Sequence, residues 1–397
     1  MKILQINKFF YRRAGAENYF LELSRALEEL GQKVMYFSMK HPQNLKTPYE
    51  KYFIENIDFG NGAKKSLKKA EHFVYSTEAV KNLNRLLKNE KPDIAHLHNI
   101  THHLTPAILD VLRYHKIPTV QTLHDLQVMC PNYKMFIMDQ PCERCKKHKY
   151  WNCFFYNCVQ DSRAASLLSA FEMTFHNVLL KTYARGISRF IAPSHFMQKK
   201  MIEWGWPEEK ISYLPNFVER KRDSTIARKN QIAFVGRFTK DKGVYLLLEA
   251  VKKLPHIRFV FAGSGEEEKQ MQDIITKQHL NNCQLLGFLD EQKISTLIQS
   301  STAVAVPSLL WENASLTVLE SLSLGTPVIA SNHGGLPELV QNGENGYLFT
   351  PASVDELVLA IEKVFKNSPL QIPENQYTKA SHLTRLLKLY EEVVAKK

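Results

Sequence analysis

Short runs rich in β-branched and aromatic residues alternate along the chain with longer stretches whose apolar positions recur every three or four residues. The first run, "MKILQIN", reads as a buried strand, and "AENYFLELSRALEELG" after it as a helix that stops at Gly31. "KVMYFSM", "DIAHLH", "IPTVQTLH" and "RFIAPS" read as further strands. Beyond residue 230 the pattern restarts with "QIAFVGR", "IRFVFAG", "CQLLGFL", "STAVAVPS", "TPVIAS" and "GYLFT". Strand and helix in alternation predict parallel sheets with crossover helices, and the restart predicts two of them. The expected fold class is therefore α/β, with two Rossmann-like doubly wound domains facing a cleft. The predicted boundaries are 1–217 and 218–380, with the polar stretch "NFVERKRDSTIARKN" (216–230) as the linker. The last segment, "HLTRLLKLYEEVVAKK", carries leucines and valines at helical spacing. It is expected to form a helix over 381–397 that packs back on the first domain.

Ligands of open α/β sheets bind outside the carboxyl ends of the strands, so polar residues at those ends are the place to look for chemistry. The strand "QIAFVG" runs into "GRFTKDKG" (236–243), where Arg237 and Lys242 project from a glycine turn. A guanidinium fork and a compact ammonium together suit a diphosphate. The strand "IRFVFAG" runs into "GSGEEE" (263–268), an incomplete G-x-G-x-x-G in which three acids would repel a pyrophosphate. That turn reads as a close backbone approach, not a dinucleotide site. In "LLWENASLTVLESLSLGTPVIASNHGG" (309–335) two glutamates, Glu312 and Glu320, flank the start of a helix capped by Asn313 or Ser315 and stopped by Gly325. The unpaired amides at Ser315, Leu316 and Thr317 carry the positive end of the helix dipole, which binds phosphate. A sugar nucleotide laid across that end would put its phosphates at the amides and one sugar ring toward each carboxylate.

Composition adds a partner and a compartment. With 44% hydrophobic and 23% charged residues the chain is that of a soluble globular protein. No apolar run approaches the ~20 residues of a membrane span. The N-terminus lacks the apolar core of a signal peptide, so a cytoplasmic protein with reduced cysteines is expected. The net charge of +12 is uneven: residues 1–200 hold 30 Lys and Arg against 17 Asp and Glu, the remainder 22 against 23. The basic half points to an anionic partner: a phosphorylated substrate, an acidic membrane surface or nucleic acid. "AKKSLKKAEHFVY" (63–75) could lie on such a surface, although a solvated charged face explains that segment as well.

Five of the six cysteines fall within 130–158. Cys142, Cys145, Cys153 and Cys158 form C-x2-C-x7-C-x4-C, which suits a structural zinc, with free buried thiols as the alternative.

The second half resembles the retaining, GT-B-fold glycosyltransferases of family 4, through "FVGRFTKDKG", "FAGSGEEE", "LLGFLD", the pair Glu312/Glu320, "GTPVIAS" and "GGLPELVQNGENGYL" in that order. "RRAGAENYF", "KPDIAHLHN" and "TLHD" extend the resemblance into the first half, and the cysteine-rich segment is similar to an insert of polysaccharide-assembly members. The resemblance implies that Arg237 and Lys242 hold the donor diphosphate and stabilise its departure. It implies that Glu312 binds the transferred sugar and Glu320 the ribose. The backbone around Phe288 and Leu289 would meet the base, Gly15 would let backbone approach the phosphates, and His124 would stand beside the reacting sugar. The family often has two glycines where this chain reads Ala14–Gly15–Ala16, and a glycine where it reads Asn313–Ala314–Ser315. The implied donor is a UDP- or GDP-sugar, and the acceptor a glycan or lipid-linked glycan of capsule, exopolysaccharide or lipopolysaccharide assembly. The implied reaction retains anomeric configuration and needs no cofactor, and the chain has no D-x-D motif for a metal. The implied site is cytoplasmic, peripheral at the inner membrane face. Two other classes compete with this one. An epimerase of the same fold would need a carboxylate set to abstract sugar protons, which is not evident. A nucleic-acid-binding protein would use the basic half, but no recognition motif accompanies it, so no nucleic-acid partner is expected.

Overall fold

Strands that read as unbroken apolar runs are those a parallel sheet buries on both faces, and both sheets of this chain are of that kind. The computed structural model describes residues 1–56, 72–367, 370, 372 and 377–396. The chain folds into two compact units. The first comprises Met1–Lys134, Glu143–Pro215 and Ala380–Lys397, and the second Met135–Cys142 and Asn216–Lys379.

The first unit holds strands β1 (Lys2–Ile6), β2 (Lys33–Phe37), β3 (Ile94–Leu97), β4 (Thr119–Thr122), β7 (Arg189–Ala192) and β8 (Ile211–Tyr213), all parallel, in the order β2-β1-β3-β4-β7-β8. Between β4 and β7 in the chain comes a two-stranded antiparallel hairpin, β5 (Phe136–Ile137) with β6 (Gln140–Pro141). The helix Gly15–Glu29 buries Tyr19, Phe20, Leu23, Ala26 and Leu27, the three- and four-residue spacing of one face. Leu30 caps it and Gly31 leaves it at φ +75°. The terminal helix Lys379–Ala395 belongs almost wholly to this unit. Its His382 donates from Nδ1 to the Pro215 carbonyl at 2.8 Å, and its Tyr390 hydroxyl lies 2.6 Å from His96 Nδ1.

The second unit holds β9 (Lys229–Val235), β10 (Arg258–Ala262), β11 (Cys283–Leu285), β12 (Ser301–Val306), β13 (Val328–Ser331) and β14 (Gly346–Phe349), parallel and ordered β11-β10-β9-β12-β13-β14. β12 is buried at every position. One apolar cluster packs the helices Val244–Lys253 and Val354–Asn367 on one face, and a second packs Glu291–Gln299 and Leu316–Ser323 on the other. The second sheet is thus covered on both sides in the doubly wound manner.

Both sheets change direction once. In the first, the order reverses between β1 and β3, and in the second between β9 and β12. The loops leaving those four strands therefore open at the switch points where such sheets bind ligands.

The sequence pattern locates eleven of these strands. It misses β8, a three-residue strand soon after a proline, and the hairpin, whose residues have no two-residue alternation. The linker is also shorter than 216–230, because Lys229 and Asn230 already belong to β9. The basic run at 64–69, within the segment 63–75, lies outside the described residues.

Candidate active site

In the second unit the loop after β9 and the loop after β12 leave the switch point side by side. Lys242 ends a single helical turn, Lys240–Lys242, and Gly243 follows at φ +72°. A Cβ there would sit 1.9 Å from the Pro307 carbonyl oxygen, so only glycine lets the two loops approach so closely. That approach brings Lys242 Nζ to 2.6 Å from Glu312 Oε1. The Ser308 hydroxyl donates to the same oxygen at 2.5 Å. From the other side Gly334, at φ +63°, passes over the Glu312 backbone where a Cβ would meet its oxygen at 2.5 Å, and the Gly335 amide donates to that oxygen at 2.7 Å. Glu312 is thereby fixed at both backbone and side chain. Burial alone would raise its pKa, but the Lys242 ammonium and the Ser308 hydroxyl outweigh burial and hold the carboxyl below its ordinary range. It is a carboxylate under all near-neutral conditions.

Behind it the helix Leu316–Ser323 begins at Ser315, whose side chain makes no capping bond. Among the described residues nothing accepts from the amides of Leu316 and Thr317, so the positive helix end stands open to an outside acceptor. The Thr317 hydroxyl donates to the Val235 carbonyl at 3.4 Å, tying this helix end to β9. Arg237 is exposed on the same β9 loop, with no ion pair among the described residues. Two cations, two open amides and one ionised glutamate therefore surround one switch point. That set can hold a diphosphate and orient hydroxyl groups beside it.

Glu320 stands one turn further along the helix. Arg220 donates to its Oε1 at 2.6 Å and bonds Glu291 as well. Burial pushes the Glu320 carboxyl up, and Arg220 acts against that rise. Phe288 is 79% exposed in the loop after β11. Its neighbour Leu289 lines a cavity of ≈ 520 Å³ with Leu286, Asp290 and Lys293. The incomplete glycine motif serves the protein itself: the Phe238 amide donates to the Ser264 carbonyl at 2.9 Å and the Glu267 amide to the Phe238 carbonyl at 3.0 Å.

The first unit presents different chemistry at its switch point. Gly15 is the exposed first residue of its helix, and the cap before it, Ala14, offers no side-chain acceptor. Sequence reasoning singles out His124 alone, yet it ends a chain of buried partners. His98 Nδ1 lies 2.8 Å from His124 Nε2, and His98 Nε2 lies 2.9 Å from Gln5 Oε1. With that oxygen as acceptor, His98 donates from Nε2, His124 donates from Nε2 to His98, and His124 keeps a lone pair on Nδ1. Burial pushes the His124 pKa down to about 3, and burial with neighbouring imidazoles drives His96 and His98 well down. Lys8 and Asp125, on the loops after β1 and β4, each face burial that disfavours their charge, partly offset by their mutual attraction. The signal for this network is the histidine at every second position in "HLH", which sets two imidazoles on one face of β3.

The cysteines do not form the expected quartet. Among the described residues no three His, Cys, Asp or Glu side chains meet in an arrangement that could hold a metal. Cys142 follows the hairpin, Cys145 precedes a helical turn, and Cys153 lies buried on the short helix Trp151–Phe155. The Cys153 thiol donates to Cys158, pushing Cys153 up, while that bond and the nearby Arg144 pull Cys158 down. These residues as placed do not fit zinc, and no chemistry is routed through it.

Residues 13–222 match the family described as Glycosyltransferase Family 4, and residues 217–381 match Glycosyl transferases group 1. The amylovoran biosynthesis glycosyltransferase AmsK of Erwinia amylovora is 25% identical over 195 residues, 45% of this chain and 48% of that protein. The lipopolysaccharide core biosynthesis glycosyltransferase LpsE of Rhizobium meliloti is 25% identical over 224 residues, 53% of this chain and 65% of that one. The chain thus spans about half the length of the curated relatives it matches. Among solved structures, Anabaena HepE in complex with UDP and glucose superposes with a TM-score of 0.69 at 19% identity, covering 99% of this chain and 100% of that one. A sucrose-phosphate synthase of Thermosynechococcus elongatus gives 0.71 at 16% identity, with 100% of each chain covered. At such identities the likeness concerns the fold, which is GT-B.

Proposed function

The chain belongs to glycosyltransferase family 4, and from that premise we propose that it moves a hexose-type sugar from a nucleotide-diphosphate sugar to a glycan or lipid-linked acceptor. The observation that carries this reading is the Lys242–Glu312 pair, held at 2.6 Å beside an uncapped helix start. The Lys242 ammonium has three N–H donors and spends one on Glu312. The others are left for phosphate oxygens, with Arg237 and the amides of Leu316 and Thr317 completing the cradle. As the anomeric C–O bond breaks, its electron pair passes to the diphosphate, and these groups meet the growing charge without a metal. Glu312 accepts hydroxyls of the transferred sugar, and Glu320 those of the ribose. In the first unit, the neutral His124 offers Nδ1 as an acceptor for a hydroxyl. The acceptor hydroxyl adds to the anomeric carbon on the face the nucleotide leaves, passing its proton to the departing phosphate, so configuration is retained.

The UDP and glucose bound by HepE support a UDP-sugar over a GDP-sugar. The names of AmsK and LpsE support a role in surface polysaccharide assembly. A lipid-linked acceptor agrees with the basic first half of the chain, and no described helix is long and apolar enough to cross a membrane.

The test is release of nucleotide diphosphate from a panel of UDP- and GDP-sugars in excess EDTA. One donor should be consumed, slowly by hydrolysis and faster with acceptor lipid extract, giving product of unchanged anomeric configuration by NMR. Folded protein that consumes none of them and binds no nucleotide diphosphate would refute the proposal.

A further inference from the structure

The polar stretch after Asn216 reads from sequence as a tether, but in the structure one of its residues bonds two acidic side chains of the second unit. Arg220 is only 20% exposed, and its guanidinium reaches two helices of the second unit at once. It bonds Glu291 at the start of the helix Glu291–Gln299 and donates from Nη2 to Glu320 Oε1 at 2.6 Å. Glu320 Oε2 accepts no hydrogen bond among the described residues, although the side chain is 18% exposed. One oxygen is clamped, and the other has no hydrogen-bond partner among the described residues.

We propose that Arg220 is a positioning residue for the nucleoside. It fixes Glu320 through Oε1 so that Oε2 faces the vicinal hydroxyls of the donor ribose, and Glu291 holds the guanidinium in place. The inference rests on the reading of Glu320 as the ribose acceptor. Arg220 suits the task because its planar fork can serve two carboxylates in fixed directions, which a lysine cannot. Arg220 and Glu291 are the charged groups that face Glu320, the one favouring ionisation and the other opposing it. Burial already disfavours the carboxylate, so loss of Arg220 would let it protonate nearer neutrality and spoil it as a double acceptor.

The experiment is calorimetric titration of UDP into the full chain at pH 8 and pH 6, for the wild type, Glu320→Ala, Arg220→Ala, Arg220→Lys, Glu291→Ala and the Arg220→Ala/Glu320→Ala double variant. Glu320→Ala should weaken binding about tenfold. Arg220→Ala should approach that loss at pH 6 and show less of it at pH 8. The double variant should be no weaker than Glu320→Ala alone, because both changes remove one interaction. Arg220→Lys should recover part of the affinity at pH 6 by restoring the charge. Glu291→Ala, which leaves Glu320 intact, should cost about twofold. Additive losses in the double variant, or an Arg220→Ala loss equal at both pH values, would overturn the inference while leaving the ribose site standing. Unchanged binding in Glu320→Ala would remove the ribose site itself, and this inference with it. Melting curves identify a variant that fails to fold, in which case Arg220→Lys and Glu291→Ala decide.

Discussion

The switch points of the two units are built from opposite materials. In the second unit, charges are paired and partly open: Lys242 with Glu312, Arg220 with Glu320 and Glu291, and Arg237 exposed beside them. In the first unit the central groups are aromatic and largely buried, with His96 stacked on His98 at a centroid distance of 4.4 Å and His98 hydrogen-bonded to His124 at 2.8 Å. Imidazoles packed this way must stay neutral, since a second charge in the stack would meet both burial and repulsion. The difference matches two tasks. A diphosphate needs fixed positive charge and survives solvent contact. Sugar hydroxyls need neutral acceptors whose direction is set by their own partners.

The largest effect that sharpens this contrast is at Lys242. Lys242→Ala should lower kcat about 10²–10³-fold, the cost of removing one preorganised donor from a developing anion, read as initial rates of nucleotide diphosphate release. A pure KM effect would mean that the pair only binds the donor. At the neutral switch point, His124→Ala should lower kcat/KM about tenfold. The wild-type rate should show no inflection near pH 6.5 assigned to His124, because burial holds that group down to about 3. An inflection present in the wild type and missing in the variant would show that the imidazole is not neutral there.

Stability should separate the units in the same sense. His102, His124 and His382 are pushed down to about 3, 3 and 4 by burial. Between these values and the unfolded value of about 6.5 the unfolded chain binds more protons, so stability is full above pH 6.5 and falls as pH drops toward 4. Protease susceptibility at pH 5 should therefore rise first in residues of the first unit. Glu172, in the same unit, works with the opposite sign. It is 1% exposed, neither carboxyl oxygen has a hydrogen-bond partner among the described residues, and burial pushes it up to about 8. Its folded form gains over the unfolded one only at low pH, and that gain disappears as pH rises through 8. Glu172→Met should stabilise the protein at pH 9 by about 1–3 kcal/mol, and by less at pH 5, as read from melting temperature. A smaller effect is expected at Phe288, whose ring is exposed in the loop after β11. Phe288→Ala should weaken UDP about three- to tenfold.

The same contrast explains what the sequence could reveal. The candidate residues of the second unit stand out in the sequence because they sit in short loops that end strands: Arg237 and Lys242 within one turn, Glu312 and Glu320 across one helix start. Their pairing partners were not. Lys242 meets Glu312 seventy positions away, and Arg220 meets Glu320 at a hundred. No local pattern distinguishes an arginine that clamps a helix from one that solvates a linker. In the first unit the histidines of "HLH" were visible as strand residues, but the link from Gln5 through His98 to His124 crosses three strand ends. The cysteine spacing misled for the same reason, because spacing along a chain fixes ligand geometry only where the intervening turn is regular. Here the segment passes through positive φ at Met138, Asp139, Lys147, His148 and Asn157.

The donor site is tested most directly by calorimetric titration of UDP, in EDTA, into the wild type, Lys242→Ala and Glu320→Ala. One site per chain is expected, indifferent to EDTA and weakened about tenfold or more in each variant. Equal affinity in all three folded proteins, or binding that EDTA abolishes, would contradict a metal-free donor site built on Lys242 and Glu320.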